Sequence, residues 1–330
     1  MALSFENPKE YITELIGTMI LVAIGCIAGS VTVNGNWWGY GAGTMSVGAA
    51  FALAFIGLIY CIGKYSNCHF NPLISLSMFI SGKMKAVETL WYVLAQLIGG
   101  IIGAVLSFLV LGIAYDTWNI FLFPSTYGGY FGGAELVGAI IIEFLLAFIL
   151  SYVAMRATDS GKIGMKSGAV IAVAMFGLIW VFGGMTFSAV NPAKSVGAAI
   201  AMLFSGIENH YEPLIQLWLF IIFPALGAVV GTFIYMIMES GEFDLNKYIS
   251  SVKKNKSEDA DDAEYSEEAV EETADEEPAA EETVDEPEEI PEIESEEEDA
   301  LPEVESVDEE SVPEIESEER IAEDSETKTE

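Results

Sequence analysis

Six stretches of this chain are each about twenty residues or longer, almost wholly apolar and nearly free of charge. A run of that length spans the hydrocarbon core of a bilayer as a helix. The runs lie at about Pro8 to Thr32, Ser46 to Gly63, Val87 to Ala114, Ala134 to Ala154, Ser167 to Gly183 and Pro213 to Met238. A soluble domain rarely needs so many, so the fold class they predict is an all-α membrane protein with six transmembrane helices.

The overall charge conflicts with that picture until it is located. The chain has 330 residues, 52% of them hydrophobic, yet a formal net charge of −36. Of its 50 acidic residues, 37 follow Lys256, opposed there only by Arg320 and Lys328. The part before is close to neutral. The chain therefore divides into an apolar body, residues 1–245, and an acidic tail, residues 246–330. The tail is built from Glu, Asp, Ser, Pro and Val and cannot bury enough apolar area to offset chain entropy, so disorder is predicted for it. A solvated spacer is the simplest role, with a docking tail for a basic partner as the alternative. The N-terminus lacks a basic n-region with a cleavage site, so its apolar run reads as a first spanning helix rather than a signal peptide.

One short stretch is written twice. SNCHFNPLIS covers Ser66 to Ser75, and FSAVNPAKSV covers Phe187 to Val196. Each follows a long apolar run and opens another. Pro fits the first helical position and Asn caps free N–H groups, so each copy reads as a helix start with an Asn amide presented there. The helices they open are half-length, ending near Ser81 and Phe204. The order is thus three spans with a half-helix after the second, twice over, in halves of about residues 1–114 and 134–240. Glu14 and Glu143 stand at matching places in the first helix of each half. Interrupted segments at corresponding places in two halves point to an inverted repeat, with the functional site where the breaks meet. Lys9, Lys64, Lys83, Lys85, Arg156, Lys162, Lys166, Lys247 and Lys253 fall on one face; the connections on the other face carry no Lys or Arg. By the positive-inside rule both termini are cytoplasmic.

Broken helices at membrane depth are tolerated only where they line a cavity or pack in protein. Two half-helices meeting at the midplane each bring a partly positive N-terminus. Asn71 and Asn191 then offer amide donors flanked by backbone carbonyls. Such a passage hydrogen-bonds a neutral polar solute and repels cations, protons included. A passive channel is the leading reading. The alternative is a secondary transporter with a broken-helix binding site, which would want intramembrane carboxylates or other ion ligands at the breaks. No His/Asp/Ser constellation supports an enzyme. Cys26, Cys61 and Cys68 and the two histidines show no metal spacing, and no metal, cofactor or nucleic acid is expected.

The paired motifs, the two glutamates and the six-plus-two layout resemble the major intrinsic proteins, the aquaporin and aquaglyceroporin family. The resemblance covers about Pro8 to Glu239 and leaves out the tail. It implies a right-handed bundle of six tilted helices and two half-helices, assembled as a homotetramer with one pore per subunit, for water and small neutral solutes such as glycerol. The pore motifs would be Asn71, Pro72 and Leu73, and Asn191, Pro192 and Ala193. The family's offsets place its outer selectivity filter at Phe51, Ile179, Ser188 and Lys194. Glu14 and Glu143 would support the re-entrant segments. His69, grouped with them, would line the cytoplasmic vestibule. Three departures stand out. Leu73 replaces the usual Ala and is expected to narrow or reshape the midplane. Lys194 replaces the nearly universal Arg. Ile179 stands where water-only members have His, a pattern similar to archaeal aquaporins. Ser195, where glycerol facilitators have Asp, leans towards water.

Overall fold

The computed structural model describes residues 7–34, 42–128, 134–158, 161–187 and 190–240. The acidic tail, the 245/246 boundary and Ser188 lie outside them. The helices are α1 (Pro8–Asn34), α2 (Ala42–Ile62), α3 (Pro72–Ile80), α4 (Ala86–Tyr115), α5 (Leu136–Ala157), α6 (Met165–Thr186), α7 (Pro192–Met202), α8 (Glu212–Ile215) and α9 (Leu219–Ser240). No strand occurs among the described residues. Six segments are long and apolar enough to cross a membrane: α1, α2, α4, α5, α6 and the stretch Glu212–Glu239. The predicted spans differ from these by a few residues at their ends. The last one differs in kind. A short 3-10 turn, Gln216–Trp218, separates α8 from α9, and Gln216 there accepts from the Thr126 hydroxyl at 2.6 Å and the Tyr127 amide at 2.9 Å.

Helix packing repeats between the halves. α1 packs on α4 as α5 packs on α9; α1 touches α2 as α5 touches α6; α3 lies against α9 as α7 lies against α4. α2 packs on α6, and the half-helices α3 and α7 meet each other. Exchanging the halves leaves this pattern unchanged, as a duplicated fold requires. The tight crossings explain some of the glycines. A Cβ on Gly99 or Gly103 of α4 would strike the carbonyls of Leu15 or Met19 in α1. Gly227 and Gly231 of α9 stand likewise against the carbonyls of Phe144 and Phe148 in α5. Small residues let two backbones approach where lipid supplies no hydrophobic drive between helices. Side chains facing out are apolar, including Ile113, Val137, Val173 and Val181.

A glycine face of α1 also gives a ruler along the bundle. The rings of Phe70, Phe51 and Phe123 lie against Gly17, Gly25 and Gly29, where a Cβ would overlap them. At 1.5 Å rise per residue, Phe51 sits about 12 Å beyond Phe70, and Phe123 about 6 Å beyond Phe51.

Candidate pore and its two constrictions

Both half-helices start as their sequences dictate. Asn71 and Asn191 are extended N-caps whose side chains accept from the amides of Leu73 and Ala193, and Pro occupies the first helical turn. That satisfies one orphan donor in each. One carboxamide N–H of each asparagine crosses between the halves. Asn71 Nδ2 donates to the Val190 carbonyl at 2.7 Å, and Asn191 Nδ2 donates to the Phe70 carbonyl at 2.8 Å. The two accepting residues immediately precede the two asparagines. Both are left-handed, Phe70 at φ 48° and Val190 at φ 49°. Such a conformation costs roughly 1–2 kcal/mol for a residue with a Cβ. Here it turns each carbonyl towards the other half. Asn71 and Asn191 are almost wholly buried.

Glu14 holds the first re-entrant segment. One carboxylate oxygen accepts from Ser66 Oγ and the His69 amide, both at 3.0 Å. The other accepts from the Phe70 amide at 2.7 Å and Gln96 Nε2 at 2.8 Å. Four donors thus converge on one buried carboxylate. Gln96 also donates to Ser75 Oγ at 2.9 Å. His69 is fully buried, with Nδ1 3.0 Å from Ser75 Oγ and Nε2 2.9 Å from the Gly161 carbonyl. The carbonyl accepts only, so Nε2 carries the proton and Nδ1 accepts from Ser75. His69 therefore fastens the re-entrant segment to the α5–α6 connection. Glu143 is buried at the matching place and accepts from Thr186 Oγ1 at 2.7 Å.

The motif's third residues face helices. Leu73 clusters with Ala147 of α5 and Ala228 of α9, and Ala193 lies against Gly100 of α4. The bulk expected to narrow the midplane thus rests on two alanines.

Three of the positions expected at an outer filter are buried: Phe51 at 1% exposure, Ile179 and Lys194 at 0%. Lys194 Nζ donates to the Phe187 carbonyl at 3.0 Å and to Ser125 Oγ at 3.5 Å, and lies 4.8 Å from the centre of the Phe123 ring. Phe187 is itself left-handed, at φ 53°, and its ring meets Phe121 and Phe123 edge-on at 5.3 and 5.1 Å. Sequence reasoning did not find Phe123, Ser125, Phe187, Ser75 or Gln96. Gln96 had a signal, as an uncharged polar residue within an apolar span. The others depend on backbone turns that leave no mark in the residue types. No group of three or more His, Cys, Asp or Glu side chains gathers among the described residues.

Six spans, two facing half-helices and a pair of Asn caps define a known class. The family model for the major intrinsic proteins matches residues 1–235, and the chain belongs to that family. Aquaporin Z of Photorhabdus laumondii is 32% identical over 235 residues, covering 70% of this chain and 97% of that one. A glycerol uptake facilitator protein-like 6 of Lactiplantibacillus plantarum is 31% identical over 237 residues, covering 70% and 99%. Among solved structures, the aquaglyceroporin from Plasmodium falciparum is similar with a TM-score of 0.58 at 22% identity, over 70% of this chain and 96% of that one. That last likeness concerns the fold.

Proposed function

We propose that the chain is a passive, multi-pass channel of the cell membrane for water and small neutral solutes such as glycerol. The observation that carries this reading is the reciprocal clasp of Asn71 and Asn191. It leaves two half-helix N-termini facing each other, and each asparagine amide keeps a second N–H beyond the one given to the opposite carbonyl. A solute that accepts a hydrogen bond is compensated for lost hydration there, whereas a cation meets two positive helix ends. Phe51, Ile179, Ser188 and Lys194 form the outer filter. Glu14, Glu143 and His69 hold the re-entrant segments. The relatives' names divide between water and glycerol, and Ile179 and Ser195 pull in opposite directions. The four donors on Glu14 leave that carboxylate no oxygen free for a coupling ion, which weighs against an ion-coupled transporter.

The lysine-rich end faces the cytoplasm with both termini. The subunits assemble as homotetramers with one pore each, and residues 246–330 form a solvated acidic tail. The test is stopped-flow shrinkage of proteoliposomes under an osmotic step. Faster shrinkage than empty vesicles supports the channel, and equal rates at verified incorporation would refute it.

A further inference from the structure

The connection between α4 and α5 does not behave as a surface loop. Connecting segments normally run over the surface, because burying them strands backbone polar groups. Here every residue from Ile120 to Thr126 is buried. The segment is fixed along its length. The Ile120 carbonyl accepts from Ser205 Oγ at 2.8 Å, the Leu122 amide points at Met202 Sδ at 3.3 Å, and the Thr126 amide donates to the Thr186 carbonyl at 3.2 Å. Ser125 Oγ is 3.1 Å from Ser195 Oγ. The strap therefore holds on to the ends of α6 and α7.

At its centre stands Phe123, fully buried and left-handed at φ 56°. A bulky residue held in that region is strained and persists where its surroundings over-determine it. Its ring touches three elements at once: Gly29 of α1, Phe187 at the end of α6, and the ammonium of Lys194 on α7. α1 and α6 make no helix–helix contact with each other among the described residues. Phe123 bridges them, across the end of the bundle, about one helical turn beyond Phe51.

The ring also changes what Lys194 offers. A lysine ammonium has three N–H donors. The Phe187 carbonyl takes one, Ser125 stands at the limit of reach of a second, and the third meets the π face of Phe123, a favourable placement for a cation. We propose that Phe123 is a fifth, specificity-determining wall of the outer constriction: it narrows the mouth and covers the face of Lys194 that would otherwise hydrogen-bond a polyol. The constriction then presents aromatic and aliphatic surface with a shielded charge. Small solutes pass, cations are repelled, and a three-carbon polyol passes more slowly than water. This rests on the channel reading above.

The experiment compares water and glycerol permeability of the full chain in proteoliposomes for wild type, Phe123→Ala, Phe123→Leu, Phe123→Tyr and Trp118→Ala. Trp118 lies on the same connection but packs on Gly112 and Phe108. Phe123→Ala should raise the glycerol-to-water ratio about thirtyfold, the equilibrium factor of a desolvated cation–π contact. Phe123→Tyr should keep the wild-type ratio, and so should Trp118→Ala. Phe123→Leu keeps apolar bulk without the π face and should fall between; it carries the test if the Ala form does not assemble. An unchanged ratio in a folded Ala or Leu form overturns the proposal. So does an equal rise in Trp118→Ala, which would mark simple loosening of the strap. Wild type no faster than empty vesicles for either solute would instead sink the channel reading itself.

Discussion

Asn71 and Asn191 are each tied to the residue that precedes the other, through carbonyls of Val190 and Phe70 at 2.7 and 2.8 Å. The two halves are thereby locked at the midplane by a matched pair of bonds, and each lock needs a left-handed residue to aim its carbonyl. One N–H of each asparagine is committed to that structural bond, and the proposed function gives the other to the solute. Geometry and chemistry are supplied by the same two side chains, so a substitution there tests both.

Glu14 should be a stability residue. Replacing it with Ala leaves the amides of His69 and Phe70, the Ser66 hydroxyl and the Gln96 amide without their acceptor. A buried donor left unmade costs about 1–3 kcal/mol. Glu14→Ala should therefore lower the unfolding midpoint in detergent sharply, and Glu14→Gln less, since one acceptor oxygen remains. A midpoint unchanged in both would remove Glu14 from the support of the re-entrant segment.

Leu73 separates packing from permeation. Its side chain lies with Ala147 and Ala228, so Leu73→Ala opens a cavity between α3, α5 and α9. That should destabilise by about 2–5 kcal/mol and leave water flux as it was. Higher flux with unchanged stability would show that Leu73 narrows the path after all.

Lys194→Arg should keep water flux and sharpen solute choice, because a planar guanidinium offers five donors in a fixed fork where the ammonium offers three. Lys194→Val should weaken cation exclusion, since the buried charge at the mouth is gone. Water flux, glycerol flux and proton leak, measured together, check this. Identical profiles for all three forms would take Lys194 out of the filter.

The fold was largely legible because the membrane makes few demands and makes them strictly. Length and apolarity name a span, and an Asn-Pro pair inside apolar sequence names a half-helix start. The pairing of Glu14 with Glu143 was visible as matching positions. What could not be read was backbone direction. Phe70, Val190, Phe123 and Phe187 are ordinary apolar residues in sequence, yet all four have positive φ. Nothing about a Phe predicts a left-handed Phe, since the surroundings impose it. The break before α9 escaped notice for a similar reason. Its cause is the anchoring of Gln216 to Thr126 and Tyr127, far away in sequence.

Removing residues 257–330 should leave assembly and permeability intact, because that segment has too little apolar surface to pack. Size-exclusion profile and osmotic shrinkage rate of the truncated chain check this, and aggregation or lost flux would contradict it. A reporter fused after Glu239 should be active only on the cytoplasmic side; activity outside would refute the proposed orientation.

The most direct test is the stopped-flow water permeability of Asn71→Leu, Asn191→Leu and the double substitution beside wild type, at equal incorporation and with assembly verified. Each Leu removes the donor that compensates a water molecule for lost hydration and adds apolar bulk at the junction of α3 and α7. Flux should fall sharply in either single variant and to the level of empty vesicles in the double. Wild-type flux in a correctly assembled double variant would mean that solute does not pass between the two asparagines.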